Sequence, residues 1–454
     1  MDRNNVIGFI LIGLVLIVWM WYNSPKPNDI KKSHADTTVV KKETATSSEE
    51  KKILEPEPKS LSPQEKYGKY FIGAVAGQEK IFTIETDFYK AEVTTKGGLI
   101  RKWELKKYKS WDKVPVQLVD FAKGGDFSLL FNTTDGKQIN TRDLYFETNY
   151  QPWNKIELQK DSTYRLVLRL KADGGGYIEK ILVFKGGQYS IDVDYKFSQM
   201  EPIIGNFEYQ VTWENGLRYA EHNSVDESQS AKAYAYSGGE LADIDASSDE
   251  PVINNISGTT QWVATRNKYF GVAIISKDGK GDGAYMEGTH KKMPNHGMKE
   301  TYNIAMKMPF RGTQDAAASF TLFLGPLEFG VVKSYNVGLD QIMSLGAAWI
   351  IRPISEYFMI PLFEFLKSFI PNYGVVIIIF SIIIKLLLYP LTKSSMKSMQ
   401  KMQQLQPIIE EVKTKHKEDP QKMNQAVMRL YKEYGVNPAG GCLPMLLQLP
   451  ILYA

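Results

Sequence analysis

Hydrophobic and polar positions change their period several times along this chain. Val6 to Tyr22 is nearly continuous apolar sequence, VIGFILIGLVLIVWMWY, with Trp19, Trp21 and Tyr22 gathered at one end. Aromatic residues collect in this way where a helix meets a membrane interface. A secretory signal would carry a small-residue cleavage site after the apolar run, and none is visible. Residues 1–23 therefore read as an uncleaved transmembrane anchor. Residues 24–66 are rich in Lys, Glu, Ser, Thr and Pro and poor in large apolar side chains. Such a stretch buries too little surface to offset the entropy of ordering, so it reads as a flexible linker.

The period then becomes two. Tyr189, Ile191, Val193, Tyr195 and Phe197 alternate with polar residues, and Leu166, Leu168 and Leu170 alternate less cleanly around Val167. Alternation marks strands with one buried face. Asp173-Gly174-Gly175-Gly176, Gly97-Gly98 and Gly186-Gly187 are turn signals between such runs. No helical period competes over a long window. Residues 67–330 read as an all-β sandwich of many strands.

From Gln341 a helical period takes over. Trp349, Ile350, Ile354, Phe358, Leu362, Phe365, Leu366 and Phe369 recur mainly at three- and four-residue steps, interrupted by Arg352, Glu356, Glu364 and Lys367. Residues 341–370 read as an amphipathic helix lying on a membrane surface, broken or bent at Pro353 and Pro361. A helix packed on the β-domain is the alternative. Pro371-Asn372-Tyr373-Gly374 marks a turn, and residues 373–391 form a span about long enough to cross a bilayer.

That span contains a lysine. A cation near the bilayer centre costs about 2.5–3.5 kcal/mol on insertion scales. Ser381, Lys385, Tyr389 and Thr392 stand at i, i+4, i+8 and i+11, so they share one helix face. Two readings remain open. The stripe faces protein or water, or Lys385, roughly 9 Å from the nearer end at helical rise, snorkels to the interface.

Residues 392–436 predict a helical hairpin. Met396, Met399, Met402, Leu405, Ile409 and Val412 mark one seam, and Met423, Val427, Leu430, Tyr431 and Tyr434 the other. Asp419 is a good N-cap and Pro420 fits the first helical position. The methionines either bind varied partners or hold the hairpin together. Lys393, Lys397, Lys401, Lys413, Lys415, Lys417, Lys422, Arg429 and Lys432 outnumber the acids, which places the hairpin in the cytoplasm by the positive-inside rule. Two crossings then put the β-domain outside. Residues 437–454 open another apolar segment and stop at Ala454 after too few residues to span.

Composition changes this picture little. The chain has 454 residues, a net charge of +4 and one cysteine, Cys442, so no intramolecular disulfide is possible. His222, His290 and His296 show neither ligand spacing nor a nucleophile setting, so they read as ordinary surface or core residues. The stretch from Asp243 through Asp245 and Ser247 to Asp249 resembles the start of a calcium loop. It has Ser248 where the sixth-position glycine belongs and Asn254 where the glutamate belongs. Gly279, Gly281 and Gly283 lie in a polar turn with no following helix, which argues against a phosphate cradle. No metal, cofactor or nucleotide site is expected.

The segment YPLTKSSMKSMQKMQQLQP, the basic hairpin and VNPAGGCLPMLLQLPI together resemble the YidC/Oxa/Alb family of membrane protein insertases, closely over residues 373–454. The layout is similar to the Gram-negative type, whose exported domain is a β-supersandwich in the periplasm related to sugar-binding and mutarotase folds. The resemblance implies an inner-membrane, multi-pass protein that is not an enzyme. It inserts and helps fold nascent membrane proteins, alone or with the Sec translocon. The translating ribosome, signal-recognition targeting machinery and membrane lipids are its implied partners. In this family one basic residue makes a groove within the membrane hydrophilic, and Lys385 matches that position. Arginine is usual there; lysine keeps the charge but lacks the planar fork for a carboxylate. Ser381 matches a polar groove position, and Gln448 falls at one on the next core helix. Other readings are a membrane-anchored periplasmic carbohydrate-binding protein and an exported epimerase, the latter weakened by the lack of a His/Glu constellation.

Overall fold

The computed structural model describes residues 62–453, apart from residues 153–154, 279–280, 313–314, 348, 418 and 437–442. The predicted anchor at residues 1–23, most of the predicted linker and Cys442 lie outside the described residues. The chain divides into a β unit that ends at Met343 and a helical unit that opens at Ser344.

The β unit begins earlier than the alternating pattern suggests. Helix α1, Pro63–Phe71, starts from a reciprocal cap. The Glu65 N–H donates to Ser62 Oγ at 3.3 Å, and the Ser62 N–H donates to Glu65 Oε2 at 2.8 Å. The last residues of the predicted linker, 63–66, are therefore helical. The Ser-x-x-Glu spacing that codes for this was present in the sequence.

Two sheets follow. In the smaller, Pro115–Gln117, Ile100–Lys109, Tyr89–Thr94, Ile81–Glu85 and Ile156–Glu157 lie side by side. The larger has thirteen strands. One edge is a meander of Thr163–Lys171, Tyr177–Lys185 and Ser190–Ser198, paired antiparallel throughout. Its register explains the uneven alternation seen in the sequence. Leu166, Leu168 and Leu170 are fully buried, while Val167 sits half-buried on the other face. Between the first two strands Gly174, Gly175 and Gly176 all take positive φ, at 94°, 102° and 80°. Three such residues in a row admit little but glycine.

The inner faces of both sheets share one core. Trp103 and Tyr89 of the smaller sheet stack at 3.8 Å between ring centroids, and Trp213, Trp262, Tyr195 and Tyr302 of the larger are likewise buried. This is a sandwich-like arrangement held by aromatic burial. Two five-residue helices interrupt it, α2 (Ser224–Ser228) and α3 (Phe329–Lys333). Both are too short for periodicity to reveal.

The helical unit opens with α4 (Ile351–Ile354), a π-turn over Ser355–Met359, and α5 (Ile360–Phe369). The predicted start at 341 is too early, since Leu339–Ile342 forms a 3₁₀ turn within the β unit. Pro361 does not interrupt the path. It stands at the start of α5, where a missing N–H costs least, directly after the wider π-turn. Asn372 then caps α6, Tyr373–Lys415, accepting from the Gly374 and Val375 N–H groups at 2.9 and 3.3 Å. α6 runs without interruption through the border expected at residue 391, with Pro390 and Pro407 inside it. Its 43 residues are about 64 Å long at helical rise, roughly twice a bilayer's hydrocarbon thickness. Helices α7 (Pro420–Glu433) and α8 (Leu443–Leu452) follow.

Candidate functional site

Tyr373–Pro390 is the one stretch among the described residues long and apolar enough to cross a membrane. Almost none of it is buried by the protein. Ile377, Ile378, Ile382, Leu386 and Leu387 are all more than half exposed, which suits side chains solvated by lipid. Its start is fixed from one side. The Phe363 ring of α5 packs on Tyr373 at 6.3 Å and edge-on to Phe380 at 6.0 Å.

The polar stripe lies along this helix. Ser381 Oγ donates back to the Ile377 carbonyl at 2.8 Å, one turn before Lys385. Lys385 itself is exposed and has no hydrogen-bond or ion-pair partner among the described residues. One turn on, Tyr389 is 57% exposed, with Lys393 Nζ 6.0 Å from its ring centroid. Thr392 Oγ1 donates to the Leu388 carbonyl at 3.0 Å and accepts from Gln448 Nε2 at 3.1 Å. Helix α8 packs against α6 and against α4. The structure thus brings Thr392 and Gln448 into contact. Ser381, Lys385 and Tyr389 share their face, are all exposed, and make no hydrogen bond to a second helix among the described residues. A hydrogen bond between two half-buried polar side chains on different helices fixes their register, typically by about 0.6 kcal/mol in a membrane. The cation one and a half to two turns away is left open to whatever enters.

Beyond the span the hairpin closes on a small core of Leu405, Ile409 and Val436, with Met402, Ile408, Val427, Leu430 and Tyr431 against it. Met402 belongs to the seam and Met423 is half-buried, whereas Met396 and Met399 are 57% and 52% exposed. Asp419 caps α7, accepting from the Gln421 and Lys422 N–H groups at 3.1 Å each, and Pro420 occupies the first turn. Those N–H bonds, that of Lys422 foremost, hold the Asp419 carboxyl below its ordinary value. Val436 escaped the seam pattern because it lies past the helix. Gly435, at φ 60°, reverses the chain there. The Val436 N–H reaches the Tyr431 carbonyl at 2.9 Å and the Gly435 N–H reaches Lys432 at 3.2 Å. That pairing is a Schellman cap, and Tyr-Gly-Val is its sequence signal.

In the β unit one His/Glu pair forms that sequence spacing does not show. His290 and Glu300 face each other across a strand pair, with Nδ1 3.5 Å from Oε1. They are ten residues apart, and only the hairpin register brings them together. Glu300 also accepts from Tyr302 OH at 2.6 Å and Ser228 Oγ at 3.1 Å. The pair is 7% and 6% exposed; Glu300 is satisfied by Tyr302 and Ser228, while His290 Nδ1 has no hydrogen-bond partner among the described residues, and the buried position is that of a core element. His222 sits edge-on to Trp111 at the surface, and His296 lies in a tight turn at φ 58°. Asp243 and Asp245 both pair with Lys232 at 3.2 Å, and Asp249 pairs with Lys292. Gly281 opens a strand, Gly283 lies within it, and Gly279 is outside the described residues.

Comparison with known proteins matches both units. Residues 365–454 match the 60Kd inner membrane protein family and residues 81–357 the YidC periplasmic domain family. The chain is 39% identical over 456 residues to the membrane protein insertase YidC of Pelodictyon phaeoclathratiforme (strain DSM 5477 / BU-1), covering all of this chain and 76% of that one. The insertase YidC of Chlorobium limicola is also 39% identical over 456 residues, and that of Chlorobaculum tepidum 37% over 461, again with 76% of each covered. Among solved structures, a putative aldose 1-epimerase from Escherichia coli K12 is similar at 8% identity. It covers 55% of this chain and 100% of its own, with a TM-score of 0.34, a likeness that decides neither fold nor function.

Proposed function

This chain belongs to the YidC family of membrane protein insertases, inner-membrane proteins with a periplasmic domain, and we propose from that membership that it inserts nascent membrane proteins through the polar stripe of α6. Lys385 is the attracting charge. Ser381 and Tyr389 extend the polar face on either side of it, and the Thr392–Gln448 pair holds α8 beside its inner end.

The physical argument is one of offset costs. Moving a substrate carboxylate into hydrocarbon costs about 2.5–3.5 kcal/mol on insertion scales. A cation 4 Å away, at an effective dielectric of about 20, returns on the order of 4 kcal/mol. One lysine therefore roughly cancels one acid. A tail that carries an acid can enter and still leave, as a transient binding site requires. The apolar helix behind it then moves into lipid. Lysine attracts the acid as a point charge, without the bidentate grip of arginine, so capture is tolerant of geometry.

The wider layout of the proposal has residues 1–23 as an anchor and α4–α5 as an interfacial helix. Residues 392–436 form a cytoplasmic hairpin, and residues 437–454 begin the next core helix. The exposed Met396 and Met399, with the lysines around them, suit contact with the ribosome, the targeting machinery or the Sec translocon. The observation that carries the reading is Lys385 itself, exposed and without a partner among the described residues, within an apolar span. The test is insertion of a small single-span substrate by Lys385→Leu and Lys385→Arg. The reading requires loss in the first and retention in the second. Full insertion by a stably expressed Lys385→Leu chain would sink it.

A further inference from the structure

The β unit carries a second polar-apolar surface that the stripe on α6 does not use. Three large aromatic side chains stand exposed on it, Trp111 at 59%, Phe121 at 42% and Tyr269 at 42%. Local backbone links hold them together. The Trp111 N–H donates to the Ala220 carbonyl at 3.1 Å. The Arg218 N–H donates to the Leu118 carbonyl at 2.9 Å, and the Arg218 guanidinium lies 5.1 Å from the centre of the Phe121 ring. Trp111 and Tyr269 line one cavity of about 470 Å³ together with Lys109 and Glu221.

Cations crowd the same face. Burial holds the Lys299 ammonium below the ordinary lysine value against the pull of Asp120 at 4.0 Å, and the nearby Lys123, Arg218 and Lys291 add to the lowering. Lys109 and Lys113 flank Trp111, and neither they nor Lys123 and Lys291 form an ion pair among the described residues. The acids present are largely committed. Asp226 pairs with Lys268 at 2.5 Å, and Asp112 accepts from Ser110. Like charges that outnumber their counter-ions store repulsion that an anionic surface relieves. The chain also leaves the unit beside this face. Arg266, three residues before Tyr269, donates to the carbonyl of Ile342, next to the unit's last residue.

We propose that this face of the periplasmic domain rests on the membrane, with Trp111, Phe121 and Tyr269 at headgroup level and the lysines on anionic phospholipid. Rings with one apolar and one polar side settle at that depth, and cations beside them bind acidic headgroups. A soluble anionic ligand would need the cations without the exposed rings. A protein partner would accept either, and is an outcome of the test.

The test uses the full chain in vesicles of phosphatidylethanolamine and phosphatidylglycerol, with a benzophenone amino acid in place of Trp111 or, as a control, Phe207. Phe207 is 70% exposed, in the first half of the strand Ile204–Trp213 whose far end leads to Arg218. The proposal requires lipid adducts several-fold more abundant at 111 than at 207. They must fall several-fold when phosphatidylcholine replaces both lipids, and again in a chain carrying Lys113→Glu and Lys123→Glu. Equal yields at the two positions overturn it. So do yields indifferent to lipid charge, or adducts in native membranes that are to protein alone.

Discussion

Two lysines, Lys180 in the β unit and Lys385 in α6, both sit among apolar side chains, and their surroundings differ in kind. Lys180 is 1% exposed. Its Nζ donates to the Phe127 carbonyl at 2.6 Å and lies 4.4 Å from the Phe127 ring centre. Burial pulls its ammonium well below the ordinary lysine value, and the charge of Asp126 opposes that pull. Every feature of that site is supplied by the fold. Among the described residues Lys385 has none of these, although a cation in hydrocarbon needs them equally. The lesson is that a buried charge with partners is a piece of structure, and a charge in an apolar span without them is a request for a partner from outside. The two units show the same contrast in their apolar residues. Trp103 and Trp213 are sealed in a core, while Ile378 and Leu386 remain more than 60% exposed.

The strongest way to break the comparison is to remove each charge. Lys180→Met removes the donor from the buried Phe127 carbonyl and leaves Arg142 as the cation acting on Asp126. Leaving a buried acceptor unsatisfied costs about 1–3 kcal/mol, so thermal unfolding of the β unit should come several degrees lower. Lys385→Leu should leave the unfolding temperature unchanged while abolishing insertion of a single-span substrate, with Lys385→Arg active. A destabilised Lys385→Leu chain, or an unaffected Lys180→Met chain, would erase the distinction.

Protonation sharpens it further. Burial pushes the Asp126 carboxyl up to about 7, against the Glu214 N–H bond and the charge of Arg142. Its folded value lies above the unfolded value of 3.8, so the neutral form is favoured by folding. That contribution is fully present below the unfolded value and is lost as pH rises through about 7. Melting of the whole protein at pH 5 and pH 8, compared with Asp126→Asn, should show a component of alkaline destabilisation in the parent that the variant lacks. No such difference between the two chains would refute the assignment.

The smallest effect belongs to the contact between α6 and α8. A double-mutant cycle of Thr392→Val and Gln448→Leu should yield a coupling of about 0.6 kcal/mol, the average for membrane hydrogen bonds. A coupling of zero would mean that the 3.1 Å contact contributes nothing to register.

Much of this was legible before any coordinates. The meander follows the alternation of Tyr189 to Phe197, the polar stripe follows from four spacings, and Asp419-Pro420 marks the start of α7. Other local codes are shorter, among them the Ser62–Glu65 cap and the Gly435 reversal that brings Val436 into the hairpin core. Others were never in the local pattern. The five-residue α2 and α3 are shorter than two helical turns, so no period can identify them. His290 and Glu300 become partners only through strand register, and Thr392 meets Gln448 from 56 residues away.

What the sequence determined by itself was everything with a short repeat or a local code. Strand faces, the apolar span, the stripe and the caps depend on residues at most a dozen positions apart, and backbone geometry turns that spacing into direction. Which charge receives a partner depends instead on long-range pairing. Lys180 and Lys385 are each followed by three aliphatic residues, Ile181, Leu182 and Val183 or Leu386, Leu387 and Leu388. Only the packing of Phe127 and Asp126 around the first, and of nothing described around the second, separated a core residue from a candidate site.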